Sequence, residues 1–170
     1  MQEEIEIQSE DSLHEVPENY TRYLIFSMND ESFAIRSDLV TEIANDFQIY
    51  LLPFVPSYVC GLINQQGNPF VVVDPMVMMK QKAQNSNMLI IINNNEQTND
   101  VAENLCIKIS DILDFFDIRQ EDLLELKDEK DGVCFSATLD WNGKMVNVID
   151  YIKILEKMKK DFCMEEKKLQ

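Results

Sequence analysis

The stretch Leu52–Asp74 reads LPFVPSYVCGLINQQGNPFVVVD. Pro53 and Pro56 deny it regular helix, because proline lacks the amide donor and clashes with the preceding turn. Its last third, PFVVVD, is a β-branched run with the character of a buried strand. An Asn-Gln-Gln-Gly sits at its centre, at 64–67, and no catalytic residue type occurs before the closing Asp74. So conspicuous a segment needs a purpose other than chemistry.

Working outward, Tyr23–Met28 and Ser32–Ile35 read as two strands of a hairpin across NDES. Ser37 is placed to cap a short helix with Leu39, Val40 and Ile43 on one face. Residues 80–87, KQKAQNSN, read as a loop and mark the expected internal boundary. Met88–Ile92 and Leu105–Ile109 form a second hairpin across a long Asn-rich connection. The pattern over 112–118 fits a bent strand or a short helix equally. Residues 133–141 and 145–149 flank Asn142-Gly143, a dipeptide suited to a type I′ turn. Asp150 can cap a closing helix whose apolar face is Tyr151, Ile154, Leu155, Met158 and Phe162. The expected organisation is a disordered acidic leader over 1–20, a domain over 21–158 and a charged tail over 159–170. The domain is mainly β, with one short helix early and one at the end, a pattern that suggests small barrels.

Charge and composition exclude several functions. The formal net charge is −16, which repels phosphate backbones and argues against nucleic acid. Residues 1–20 carry acids and no Lys or Arg, the composition of a solvated tail. No apolar run approaches the ~18 residues needed to span a bilayer, and the leader has no apolar signal region. The four cysteines, at 60, 106, 134 and 163, form no CxxC and read as reduced thiols. Together these features predict a cytoplasmic protein. The one histidine, His14, lies in the leader, so zinc sites and Ser–His or Cys–His pairs are not expected. Neither phosphate-binding glycine motif occurs. Asp111, Asp114 and Asp117 recur every three residues without calcium-loop spacing and read as a solvated edge. Neither cofactor, metal nor catalytic residue is expected, and the chain does not read as an enzyme. A small-ligand barrel, the alternative from another class, calls for polar groups converging at a barrel mouth, and the sequence displays no such cluster.

The order YLIFSMNDESFAI, LVTEI, LPFVPSYVCGLINQQGNPFVVVD, LCIKISDIL, MVNVIDYIKIL resembles the CheW family of bacterial chemotaxis coupling proteins across about residues 21–158. The most specific part is Leu-Pro, a second Pro, and then Gly-Leu-Ile-Asn-x-x-Gly with a following Val-Val-Asp. The resemblance implies two five-stranded SH3-like barrels side by side. It also implies a non-enzymatic adaptor that bridges chemoreceptor cytoplasmic tips to the histidine kinase CheA, whose regulatory domain shares the fold. A variant of that reading is a CheW-like interaction module outside the main receptor array. The Pro-Gly segment would then shape a turn and strand beside a groove that receives a receptor helix. The implied partner-binding residues are Val40, Glu42, Gly61, Asn64, Gln66 and Gly67. The family's usual Asn-Leu-Arg-Gly is Asn64-Gln65-Gln66-Gly67 here, with Gln66 in place of the arginine. A Glu42–Gln66 hydrogen bond is therefore expected where the family has an ion pair. Gly61 and Gly67 read as backbone-conformation residues, and Val40 as either core or interface.

Overall fold

The structure is a computed structural model that describes residues 18–92, 104–126 and 134–168, with side chains described through Met164. Most of the expected leader, the Asn-rich connection over 93–103 and the segment 127–133 lie outside the described residues. The fold is mainly β. Eleven strands form two sheets: β1 (Tyr20–Met28), β2 (Glu31–Arg36), β3 (Val40–Asn45), β4 (Val59–Gln65), β5 (Asn68–Val73), β6 (Met88–Ile92), β7 (Leu105–Ile109), β8 (Asp111–Arg119), β9 (Leu124–Glu125), β10 (Phe135–Trp141) and β11 (Lys144–Ile149). Among the described residues two α-helices accompany them, α1 (Pro75–Met78) and α2 (Tyr151–Lys168).

The first sheet runs β8-β1-β2-β11-β10-β9 and the second β3-β6-β7-β5-β4. Apart from the two-residue β9, the two orders repeat each other. In each, two antiparallel pairs lead to a parallel pair, β2 with β11 and β7 with β5, and a hairpin closes the sheet. The hairpins superpose residue by residue in register. Val59↔Val73 and Gly61↔Val72 flank a bulge, as Phe135↔Ile149 and Ala137↔Val148 do. Both end in a two-residue turn with positive φ at both central positions, Gln66-Gly67 and Asn142-Gly143, which is type I′ geometry. In each turn the glycine amide donates to the side chain three residues before it, Gly67 to Asn64 Oδ1 at 2.9 Å and Gly143 to Asp140 Oδ1 at 2.6 Å. An Asp follows each hairpin and caps a helix: Asp74 Oδ1 accepts from Met76, and Asp150 Oδ1 from Ile152, both at 3.0 Å. These are the two SH3-like subdomains of the fold.

The largest core belongs to neither sheet alone. Leu24, Phe26, Phe33 and Ile35 of the first sheet pack with Val59, Val73, Ile90, Ile92, Leu105 and Ile107 of the second. Ile154, Leu155 and Met158 of α2 join the same cluster. A smaller core fills the other face of each sheet, including Tyr23, Ile25 and Leu139 in the first and Leu89, Ile91 and Cys106 in the second. Strands buried on both faces read as continuous apolar runs, which explains YLIF and MLIII.

Three expectations need correction, and one open alternative is settled. Ser37–Leu39 forms one 3-10 turn without a side-chain cap, and Val40 and Ile43 lie in β3. Pairing with β6 overrides their helical spacing. Residues 80–87 are a loop but not a boundary, since β3 through β7 on both sides of it share one sheet. The segment 112–118, open between strand and helix, is strand β8; its bulge leaves Asp111 and Asp114 opposite Ser27 and Ile25 on one face, and Asp117 opposite Arg22 on the other. The expected tail at 159–170 is helical through Lys168.

Candidate functional site

All the expected site residues except Val40 cluster where the second sheet closes on itself. Strands β3 and β4 are its two edges, yet Gln65 Nε2 on β4 donates to Glu42 Oε2 on β3 at 2.7 Å. Two edges can touch only if the sheet is rolled. Below that bond, Tyr50 and Leu62 exchange both backbone hydrogen bonds, at 2.7 and 2.9 Å, and stitch the segment after β3 onto β4. Gly61 makes this approach possible. Its φ is +138°, and a Cβ there would stand 2.7 Å from Ile49 Cγ2 and against the Tyr50 carbonyl.

Glu42, Asn64 and Gln65 line one recess of about 360 Å³, together with Asp46, Phe47 and Tyr50. The recess is acidic, with two carboxylates and no lysine or arginine. Gln66 and Gly67 form the hairpin tip beside it. Gln66 takes φ +51° in the turn, and Gln65 is the residue whose side chain reaches Glu42. The expected Glu42–Gln66 bond is thus displaced by one position, because position 66 is spent on turning the chain. Val40 lies apart: it pairs with Ile92 and packs half-buried on the shared core.

Sequence reasoning missed the apolar surface beside this recess. Leu51 is 85% and Phe54 79% exposed, and Tyr50 is half-exposed. Phe54 also has φ +56°, a strained conformation for a bulky side chain. Two prolines flanking Phe54 were the available signal. Around the β4–β5 hairpin runs an apolar groove of about 560 Å³, walled by Leu62, Val71 and Leu105 of the second sheet and Leu155, Met158 and Phe162 of α2. It lies between sheet and helix, not between the two sheets.

Helix α2 is pinned over that groove by a small polar cluster. Tyr58 Oη donates to Asp161 Oδ2 at 2.8 Å, and Lys157 Nζ donates to the same oxygen at 2.9 Å. Burial raises the Asp161 carboxyl, but these two hydrogen bonds and the charges of Lys157 and Lys160 outweigh it and hold it below its usual range. Two buried thiols are not activated: burial pushes Cys106 and Cys134 up to about 12. Asp74 is buried and structural. Its carboxylate accepts from Met76 N, Gln84 N and Gln84 Nε2. Among the described residues no cluster of three or more His, Cys, Asp or Glu could hold a metal, and no helix is long and apolar enough to cross a membrane.

The model of the CheW-like domain matches residues 22–159, which takes in both rolled sheets and the first half of α2. The chain belongs to the CheW-like domain family. Among solved structures, the CheW-like fold is matched by the scaffolding protein TtCheW from Thermoanaerobacter tengcongensis. The TM-score is 0.66 at 17% identity, covering 76% of this chain and 88% of that one. None of the curated proteins matches the sequence significantly.

Proposed function

We propose that this chain is a non-enzymatic chemotaxis adaptor of the cytoplasm that couples chemoreceptor signalling tips to the histidine kinase CheA. Family membership over residues 22–159 carries the reading. The geometry supports it with an apolar groove beside an acidic recess, and with exposed Leu51 and Phe54 on a segment fixed by Tyr50–Leu62 pairing. Such surfaces act through binding: an apolar stripe on a helix fills the groove, whose one charged lining residue among those described is Lys159, and the separate acidic recess favours cationic groups. Glu42 and Asn64 line the recess, Gln66 and Gly67 form the hairpin tip beside it, Gly61 acts on it through the backbone, and Val40 lies apart on the shared core.

Co-sedimentation tests the proposal. The purified chain is expected to pellet with assembled receptor signalling tips and to raise the amount of CheA that pellets with them. Pelleting with neither partner would assign the chain to interactions outside a receptor array.

A further inference from the structure

The repeat that relates the two sheets leaves one difference, at the mouth of each roll. Register places Asp150 of the first unit where the second has Asp74, Arg36 where it has Lys108, and Tyr23 where it has Leu89. In the second unit this position is plugged by Gln84, only 3% exposed. The Gln84 amide nitrogen donates to Asp74 Oδ1 at 2.9 Å and to the Lys108 carbonyl at 2.7 Å, and its oxygen accepts from Ser110 Oγ at 3.2 Å. The first unit has no counterpart of this plug among the described residues. A cavity of about 680 Å³ opens there instead, bordered by Tyr23, Arg36 and Asp150, within the size range of small-ligand sites.

Three of the polar side chains bordering this cavity, Tyr23, Arg36 and Asp150, keep an unused donor or acceptor among the described residues. Tyr23 is 4% exposed, and its hydroxyl has no hydrogen-bond partner among the described residues. Among the described residues no buried side-chain oxygen lacks a partner, so that hydroxyl keeps its accessible surface, and the cavity is where Tyr23 opens. Asp150 uses Oδ1 to cap α2, and its Oδ2 has no donor among the described residues. Arg36 is held by Asp38 through Nε and Nη2, which leaves Nη1. Ile118, Leu123 and Val148 supply apolar walls. A hydroxyl and a guanidinium N–H can donate, and a carboxylate oxygen can accept. A carboxylate ligand would meet Asp150 and Asp38, and an ammonium would meet Arg36. A neutral group with both a donor and an acceptor meets neither penalty.

We propose that the open mouth of the first sheet binds a primary carboxamide carried on an apolar body, the chemistry that Gln84 supplies in the second sheet. The carboxamide nitrogen donates to Asp150 Oδ2, its oxygen accepts from Tyr23 Oη or Arg36 Nη1, and the apolar body lies against Ile118 and Val148. This site is separate from the adaptor surface and does not depend on that reading. The ligand is a free small molecule or an Asn or Gln side chain of a partner.

The test is an amide NMR titration of the full chain with hexanamide, hexanoate and N-acetylglutamine methylamide. Hexanamide is expected to shift Thr21, Arg36 and Tyr151, and hexanoate to bind more weakly. Tyr23→Phe should weaken hexanamide about fivefold, the effect of one hydrogen bond of ordinary net strength. Asp150→Ser keeps a capping oxygen, removes the second acceptor and should weaken it similarly. Binding of hexanamide alone assigns a free small molecule, and binding of the glutamine derivative as well assigns a partner's side chain. Hexanoate binding as tightly as hexanamide, shifts confined to other residues, or wild-type affinity in both variants would overturn the proposal.

Discussion

Gln65 and Glu42 stand on the two outermost strands of the second sheet and meet through a 2.7 Å hydrogen bond. In the first sheet Trp141 of β10, one strand in from the two-residue edge β9, likewise reaches Asp114 of edge strand β8, Nε1 to Oδ2 at 3.0 Å. In both, an acid on the first edge strand accepts from the residue just before the type I′ turn. Each roll is thus latched across its seam by one side-chain pair.

Breaking a latch should have a measurable and position-specific effect. Gln65→Ala is expected to lower stability by about 1 kcal/mol, the usual net contribution of such a bond. Gln66→Ala, one residue away, should change it by less than about 0.5 kcal/mol, as surface substitutions do. Urea midpoints of the two variants decide the matter, and the opposite ranking would place the latch on Gln66.

Gly61→Ala should be severe. The added carbon meets Ile49 and the Tyr50 carbonyl, in a backbone conformation that L-residues rarely adopt. A loss of about 3 kcal/mol or more is expected, in the range reserved for strain and overpacking. Denaturant unfolding within about 1 kcal/mol of wild type would mean that the segment at 49–50 does not approach β4 so closely.

Phe54→Asn separates folding from binding. The ring is exposed, and asparagine tolerates positive φ better than phenylalanine. Melting temperature should hold or rise, while co-sedimentation with receptor tips and CheA falls. Unchanged binding would remove Phe54 from the partner surface.

Asp161 predicts an acid-sensitive contribution. Its folded pKa lies below the unfolded value, so its stabilisation is present above the ordinary Asp value of about 3.9 and is lost as pH falls through the lowered one. The melting-temperature gap between wild type and Asp161→Asn should be constant near neutral pH and close below about pH 4. A gap independent of pH down to that range would show that Asp161 acts through packing instead.

The strands were legible where apolar runs are bounded by turn chemistry. Asn142-Gly143 gave its hairpin directly, and Asp150 its helix. The order of strands in the sheets was not legible, because parallel pairing of β11 with β2 leaves no local pattern. Nor was the repeat. Between Val59–Asp74 and Phe135–Asp150 only Gly67 and Gly143, Val72 and Val148, and Asp74 and Asp150 match in type. Helix α1 had a signal that went unread, an Asp cap followed by Pro75 at the first helical position. In the candidate site, Glu42 and Asn64 were identified, but assigning the bond to Gln66 ignored the demand of the turn for positive φ there. The polar mouth around Tyr23 draws on several separate segments, so no stretch of sequence displays it.

Strand β2 pairs with β11 at Phe33↔Asn147, while β3 through β7 are contiguous in the chain. During synthesis the second roll is complete in sequence once Ile109 has emerged. The other face of the β1–β2 hairpin must then wait for β10 and β11, with Ile25 and Ala34 lacking their partners Leu139, Val146 and Val148. Long-range pairing of this kind folds slowly and leaves apolar strands open to misassociation. The nascent chain is therefore most vulnerable at its first hairpin, and a stalled or truncated product ending before Lys144 should be the aggregation-prone form.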